Sequence, residues 1–255
     1  MRYGLCFSQN IVDNVCADTF EFGELQLAQI AELDKSSLYE LRKKLTEKGI
    51  SAETTNCFFP GGFRLCADGY SRNKVEEYCK LALSKARFLG IDTCVLGSGG
   101  ARNIPDGNDR SSCLEQFKEA VYTAGNCAAE WGITVVIEPL NKRETNVINT
   151  VSDGAVFVRE LSHPNVMLLA DFYHILLENE SFDSIVENAD VIRHIHIARP
   201  ETRAMPVPDD GYDYGSMAKA VKKAKYNGRI SLEGNVKDIV NEIGVSTKYL
   251  KELFG

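Results

Sequence analysis

The sequence has few of the features that mark secreted or membrane-bound proteins. Its eight cysteines contain no C-x-x-C pair and all lie in the first half of the chain, which argues against a disulfide framework or a thiolate zinc site. No segment approaches the roughly 18 apolar residues of a membrane span, and the first ten residues, MRYGLCFSQN, lack the apolar stretch of a signal peptide. We therefore expect reduced, mostly buried thiols in a cytoplasmic protein that does not associate with membranes.

Positive charge is also scarce. Lys and Arg number 29 against 36 Asp and Glu, so the formal net charge is -7. Proteins that bind nucleic acids usually present a basic face, because neutralisation of phosphates supplies most of their affinity. We therefore expect no nucleic-acid partner. With 44% hydrophobic residues, 25% charged residues and only seven prolines, the composition is that of a folded globular protein.

Short apolar segments recur along the chain, separated by stretches whose apolar residues are three and four apart, as on one face of a helix. The segments expected to form strands are RYGLCFS (2–8), GELQLAQ (23–29), ISAETTNCFF (50–59), DTCVLGS (92–98), ITVVIE (133–138), NVMLLAD (165–171), RHIHIA (193–198) and RISLEG (229–234). Eight strand–helix units without a linker predict one α/β domain over residues 1–255, folded as a TIM (β/α)8 barrel. The second segment could also be helical. A doubly wound sheet is the alternative, although no G-x-G-x-x-G turn follows the first strand.

The last four predicted strands end on polar side chains. Glu138 closes ITVVIE, Asp171 closes NVMLLAD, His196 lies near the end of RHIHIA, and Glu233 closes RISLEG. Taken singly, a strand-end Asp often caps the next helix, and a lone His in a strand is often a hydrogen-bonded core residue. In a TIM barrel, however, the carboxyl ends of the strands converge on the rim that carries the active site. Crowded there, these groups would repel one another unless a cation neutralised them, so the pattern predicts one bound divalent metal ion.

The types of ligand indicate which ion is expected. Three carboxylates and one imidazole favour Mn²⁺, with Mg²⁺, Co²⁺ or Zn²⁺ as alternatives. His194 and His196 are two apart on a strand and therefore share a face. Because His196 is nearer the rim, it is the expected ligand, and His194 is expected behind it or in the core.

Several motifs in this half of the chain resemble those of one family. IEPLNKRETNVINT is similar to its I-E-x-L-N-R-x-E segment, DFYH to its D-T-F-H, RHIHIARPETR to its H-x-H-x-x-x-x-x-R, and SLEG to its last glutamate strand. The chain thus resembles the xylose-isomerase-like TIM barrels of the sugar phosphate isomerase/epimerase group, in particular ketose 3-epimerases of the D-tagatose 3-epimerase kind. The resemblance implies a single metal ion bound by Glu138, Asp171, His196 and Glu233.

The same resemblance implies roles in catalysis and substrate binding. Glu138 and Glu233 would double as the acid/base pair, and Glu144, His174 and Arg203 would bind the substrate, a small sugar or polyol. The implied reaction is proton transfer next to a carbonyl through an enediolate, with ketose 3-epimerisation as the first expectation. An aldose–ketose isomerase, or a lyase or dehydratase acting on a polyol or keto-glycoside, would use the same residues, so these alternatives stay open.

Two further classes of function fit the sequence less well. An apurinic-site endonuclease of the same superfamily would need extra histidines from the early strands, and no histidine precedes His163. A non-catalytic partner subunit would be expected to lack one of the metal ligands, and all four are present.

Three expectations concern segments outside these motifs. Arg64 and Arg102 lie in loops and are expected to be exposed, and Cys66 is the thiol that could line the site. The last segment, VKDIVNEIGVSTKYLKELFG, is amphipathic and is expected to close the barrel, with a contact between copies in a homo-oligomer as a second possibility.

Overall fold

The computed structural model describes residues 1–238 and 241–255, within which eight strands form one closed sheet. The strands are β1 (Arg2–Cys6), β2 (Phe22–Gln26), β3 (Ala52–Asn56), β4 (Thr93–Leu96), β5 (Thr134–Ile137), β6 (Val166–Asp171), β7 (Ile192–Ile197) and β8 (Arg229–Leu232). Each strand pairs in parallel with the next, and β8 pairs with β1 to close the ring. The predicted TIM barrel is therefore confirmed, and the doubly wound alternative is wrong because the β8–β1 pairing closes the sheet, whereas a doubly wound sheet is open and has two edge strands.

Helices follow the strands and surround the barrel. They are α1 (Leu27–Glu32), α2 (Lys35–Glu47), α3 (Arg72–Leu89), α4 (Gly99–Arg102), α5 (Arg110–Ala129), α6 (Val151–Leu161), α7 (Phe172–Leu177), α8 (Asp183–Glu187), α9 (Tyr214–Lys223) and α10 (Asn241–Phe254), with 3-10 turns at Gln9–Asn14 and Ala17–Thr19. Over residues 1–238 and 241–255, none of these helices has the length and apolar character that a membrane span requires.

Local sequence signals explain where several helices begin and end. The side chains of Asp34, Ser71, Asp109 and Thr150 each accept a hydrogen bond from a backbone N–H three residues on, at the starts of α2, α3, α5 and α6. Gly90 ends α3 with φ of 97°, a conformation that glycine adopts without strain.

Two predicted segments differ in detail from the structure. GELQLAQ is a strand only to Gln26, and Leu27 begins α1, so the strand and helix interpretations were each correct for part of it. The predicted C-terminal helix is found from residue 241 to 254, and its residues 239 and 240 lie outside the described part of the chain. All eight cysteines are free, and five are buried, as predicted.

The interior of the barrel divides into an apolar and a polar half. Val95, Val136 and Leu169 pack together on the side formed by β4, β5 and β6. On the other side, fully buried polar side chains from β2, β3, β7 and β8 bond to one another; they are Glu24, Thr54, His194 and Ser231. Polar groups persist in such an interior only when hydrogen-bonded, so this half is built around a connected network.

Candidate metal centre and active site

The carboxyl ends of β5 to β8 bring the four predicted ligands together. Asp171 is the last residue of β6 and pairs with His196 of β7, while Glu138 and Glu233 directly follow β5 and β8. One potential ligand atom from each residue lies within 4.8 Å of those of the others. The structure thus shows that the four side chains converge at one rim of the barrel. Their role as metal ligands stays a prediction.

The geometry of this cluster fits a divalent cation. Ligands about 2.0–2.4 Å from one ion lie at most about 4.8 Å apart, the same limit that these four atoms meet. The Oδ2 atom of Asp171 is buried and has no hydrogen-bond partner among the described residues, as expected of an oxygen that coordinates a cation. Oxygen-rich donors with one imidazole suit a hard ion such as Mn²⁺ or Mg²⁺.

Gly97 makes room for one of these carboxylates. A Cβ atom at this position would lie 2.2 Å from Oε2 of Glu138, so any larger residue would displace that side chain. The first glycine of the Gly-rich segment LGSGGARN (96–103) therefore leaves space for the carboxylate of Glu138.

Burial and crowding shift the acidities of the cluster in the metal-free protein. Burial, together with the charges of Glu138 and Glu233, raises the pKa of Asp171 to about 7. Burial and Glu233 also raise the pKa of Glu138. Burial opposes ionisation of Glu233 too, but His196 and Arg203 outweigh it and hold its pKa well below the usual range. Burial likewise acts to lower the pKa of His196, yet Glu24 and Glu233 keep it well above normal.

These shifts predict that affinity for a divalent cation rises with pH. The raised pKa values of Asp171 and His196 favour their protonated forms in the metal-free protein, and both groups must release a proton to bind metal. Titration of chelator-treated protein with MnCl₂ should therefore give a dissociation constant that falls as pH rises, by about tenfold per pH unit for each proton released, with the contribution of Asp171 confined to pH values below about 7. Isothermal titration in buffers of different ionisation enthalpy would count the protons. A dissociation constant that does not change with pH would contradict this electrostatic description.

The free energy of unfolding of the metal-free protein should fall as pH rises, whereas the affinity for metal rises. The folded state keeps a proton on Asp171 up to a pH of about 7, whereas the unfolded chain releases it near the ordinary aspartate pKa of 3.8. Within that window the folded state binds more protons, so the contribution of Asp171 to the free energy of unfolding decreases as pH rises. Bound metal would remove this pH dependence.

Glu24 lies directly behind His196 and was not among the residues predicted from the sequence. Its Oε1 is 2.9 Å from Nε2 of His196, and its Oε2 is 2.8 Å from Nε2 of His194. Burial opposes its ionisation, but the two histidines outweigh burial and hold its pKa well below normal. The only signal in the sequence is a carboxylate in the middle of the apolar FGELQ segment.

The residues predicted to bind substrate lie beside the cluster. Nδ1 of His174 accepts a hydrogen bond from the backbone N–H of Asn141, so Nε2 carries the proton. That N–H is buried, lies 3.5 Å from Oδ2 of Asp171 and has no hydrogen-bond partner among the described residues. Burial and then Arg203 lower the pKa of His174 to about 3, so the ring is a neutral donor.

Arg203 joins the cluster to the predicted substrate residues. Its Nη2 donates to Oε2 of Glu233, its Nη1 is 3.7 Å from Oε1 of Glu144, and its guanidinium lies over the ring of Tyr173 at 4.8 Å. Glu144 in turn accepts from Asn141 Nδ2 at 2.9 Å. The three predicted substrate residues therefore lie along one edge of the cluster.

Two expectations about the loops are wrong. Arg102 is fully buried rather than exposed, and its Nη2 donates to the carbonyl oxygen of Glu138 at 2.7 Å. Burial lowers the pKa of Arg102 to about 10, so the guanidinium is still charged at neutral pH. Cys66 is buried against the carbonyl of Arg102 instead of lining the site. A different thiol, that of Cys6, has its Sγ within 4.8 Å of potential ligand atoms of Glu24 and His196.

His163 plays no part in this cluster. Its Nδ1 accepts from the backbone N–H of Asn165, and its ring packs edge-on against Tyr122. These contacts give His163 a structural role, and it supplies none of the extra histidine ligands that an apurinic-site endonuclease would need.

A family model described as xylose isomerase-like TIM barrel matches residues 16–253. A ketose 3-epimerase of Arthrobacter globiformis is 30% identical over 128 residues, which are 50% of this chain and 44% of that protein. A D-psicose 3-epimerase of Agrobacterium fabrum is 29% identical over 250 residues, which are 96% of this chain and 84% of that protein.

A solved structure resembles the whole fold. The D-allulose 3-epimerase from Methylomonas sp., crystallised in complex with D-allulose, superposes with a TM-score of 0.84 over 99% of this chain and 97% of that one, at 20% sequence identity. At that identity the likeness shows a shared fold.

Proposed function

Because this chain belongs to the xylose isomerase-like TIM barrel family, we propose that it is a divalent-metal-dependent sugar isomerase or epimerase, and that its reaction is epimerisation at carbon 3 of a free ketose. Ketose 3-epimerases are among its distant homologues. The observation that carries the proposal is the cluster of Glu138, Asp171, His196 and Glu233, whose ligand atoms converge within 4.8 Å.

The proposed chemistry assigns the cluster two tasks. Glu138, Asp171, His196 and Glu233 would hold the cation, proposed to be Mn²⁺, whose charge would stabilise negative charge developing on the carbonyl and hydroxyl oxygens of the substrate. Glu138 and Glu233 would also move protons. One carboxylate takes the proton from the carbon beside the carbonyl, and the other carboxyl group returns a proton to the opposite face, which inverts the stereocentre.

The opposite pKa shifts of the two glutamates support this division. The pKa of Glu138 is raised and that of Glu233 is lowered in the metal-free protein, so one group can carry a proton while its neighbour is ionised. Carboxyl groups whose environments push their pKa values apart are suited to opposite acid and base roles. Since epimerisation is reversible, each group would take both roles in turn.

Three neighbouring side chains would orient the sugar. His174 presents a neutral Nε2–H that has no hydrogen-bond partner among the described residues, and it can donate to a hydroxyl or carbonyl oxygen. Glu144 can accept from a hydroxyl group, and Arg203 can donate to a terminal oxygen while keeping Glu233 ionised. A charged donor of this kind contributes about 1.5–3 kcal/mol to a hydrogen bond.

A product assay tests the proposal. The Mn²⁺-loaded protein would be incubated with free ketoses, including D-fructose, D-tagatose, D-allulose and L-ribulose, with their phosphates and with inososes, and products identified by chromatography and NMR. A C3 epimer supports the proposal, and an aldose product would instead assign proton return to the adjacent carbon. Failure to convert any compound, by protein that demonstrably binds Mn²⁺, would count against an activity on these sugars.

Replacement of Arg203 by Met should weaken substrate binding and shift the pH profile. Loss of the charged donor should lower kcat/KM about 10- to 150-fold. Because Arg203 helps to hold the pKa of Glu233 down, its removal raises that pKa, and the acid limb of the rate profile moves to higher pH. Arg72→Met, at an exposed residue that begins α3, is the matched control and should leave both quantities unchanged. An unchanged acid limb in Arg203→Met would argue against the pairing with Glu233 in solution.

A further inference from the structure

Glu24 occupies the centre of the buried polar half of the barrel, and the hydrogen-bond partners of its carboxylate among the described residues are all side chains. Oε1 faces Nε2 of His196 at 2.9 Å. Oε2 faces three potential donors at 2.7–2.8 Å: Thr54 Oγ1, His194 Nε2 and Ser231 Oγ. An ionised carboxylate can accept at all of these sites, whereas a protonated carboxyl or an amide would have to offer a donor to one of them.

His196 is shared between Glu24 and the metal cluster. Its Nε2 points at Glu24, and its Nδ1 lies 3.2 Å from Oε1 of Glu138 and 3.5 Å from Oε2 of Glu233. The two ring nitrogens thus face different groups on opposite sides of the ring. Only a nitrogen without a proton can bind a metal ion, and which nitrogen is free is decided by the hydrogen bond that the other one makes.

We propose that Glu24 is a positioning residue for the metal centre: its Oε1 accepts a hydrogen bond from Nε2–H of His196 and thereby fixes the tautomer and the ring orientation that present Nδ1 to the cation. This inference rests on the metal site of the proposed function. In this proposal Glu24 contacts neither the cation nor the substrate, because both oxygens of its carboxylate already have hydrogen-bond partners. Oε1 faces His196, and Oε2 faces Thr54, His194 and Ser231.

The surroundings of Glu24 hold it rigidly in this position. Thr54 lies on the neighbouring strand, paired with Glu24 in the β2–β3 register, and Ser231 pairs with His196 in the β7–β8 register. All of these side chains are fully buried. A carboxylate that orients a metal-binding histidine typically changes metal affinity about 10- to 100-fold when it is replaced.

The main test measures metal affinity, which does not depend on turnover. Glu24→Gln retains the shape of the side chain but places an amide N–H₂ either against His196 Nε2, which forces the proton onto Nδ1, or against the donors on the other side. We expect metal-depleted Glu24→Gln to bind Mn²⁺ about 10- to 100-fold more weakly than wild type, by titration with detection of free Mn²⁺. Glu115→Gln, the same exchange at an exposed residue of α5, is the matched control and should bind within about threefold of wild type. A folded Glu24→Gln with wild-type affinity would overturn the proposal.

A second measurement needs no variant and therefore holds even if Glu24→Gln fails to fold. The chain has only four histidines, so long-range ¹H–¹⁵N correlation spectra of ¹⁵N-histidine-labelled protein saturated with diamagnetic Mg²⁺ can identify each tautomer. The proposal requires His196 to carry its proton on Nε2. A proton on Nδ1 in the Mg²⁺-saturated wild-type protein would overturn it.

The outcomes separate this inference from the proposed function. If Glu24→Gln binds Mn²⁺ weakly and His196 carries the Nε2 proton, yet the wild-type protein converts no sugar, the role of Glu24 stands and the proposed activity falls. If the wild-type protein binds neither Mn²⁺ nor Mg²⁺, both fall together.

Discussion

Glu233→Gln is expected to reduce turnover by about 10³-fold or more at saturating Mn²⁺. Positioned acid and base groups contribute about 10²- to 10⁴-fold to rate, and the amide can neither take up nor return the substrate proton. In the wild-type protein Glu233 accepts from Asn56 Nδ2 on one oxygen and from Arg203 Nη2 on the other. The amide N–H₂ of the glutamine would therefore face one of these two donors. The measurement is kcat on the converted sugar, with the Mn²⁺ dissociation constant determined in parallel.

The matched control for this variant is Glu115→Gln, at an exposed position of α5. It should retain wild-type kcat and wild-type metal affinity. If Glu233→Gln kept more than about a tenth of wild-type kcat with Mn²⁺ bound, Glu233 would not be a proton carrier, and the acid/base pair would have to be sought elsewhere.

Removal of divalent cations should abolish turnover and lower thermal stability. Without a cation, the cluster buries three carboxylates that face one His and one Arg, and burial and mutual repulsion raise the pKa values of Asp171 and Glu138. A ligand that binds only the folded state stabilises it by RT ln(1 + [L]/Kd), which is about 2.7 kcal/mol at 100 times the dissociation constant. That gain corresponds to a rise in Tm of roughly 5–10 °C for a protein of this size.

The experiment compares protein treated with a chelator with the same protein after addition of Mn²⁺, Mg²⁺, Co²⁺ or Zn²⁺. Both activity and Tm should return together, with Mn²⁺ most effective. Asp171→Asn is the control that should lose the response of Tm to metal. Activity that survives complete chelation would show that the cluster does not need a cation for its chemistry.

The barrel and its rim could be predicted because both follow from regular patterns. Apolar strands alternate with amphipathic helices over the whole chain, and the ends of parallel strands meet at one edge. Glu138, Asp171 and Glu233 therefore stand out as charges that close apolar segments. Their convergence required only the correct fold, and no knowledge of individual contacts.

The residues that were missed or misjudged depend on contacts between distant segments. Glu24 lies inside a strand, and its partners His194 and His196 are some 170 residues away, so the apolar segment around it is the only local signal and does not reveal what the carboxylate contacts. Arg102 follows a Gly-rich loop, and its burial depends on one carbonyl oxygen of the next strand end. Cys66 follows Arg64 in a loop that folds back against residues 102 and 103.

Exchange of the substrate proton with solvent tests the proposed proton transfer at carbon 3. A sugar that the wild-type protein converts would be incubated in D₂O with Mn²⁺, the metal removed by chelation, and the position of deuterium determined by NMR. The proposed mechanism predicts deuterium at carbon 3 of both epimers, and none when Glu233→Gln replaces the wild-type protein. Conversion without deuterium at carbon 3, or the absence of deuterium from every ketose tested despite bound Mn²⁺, would contradict it.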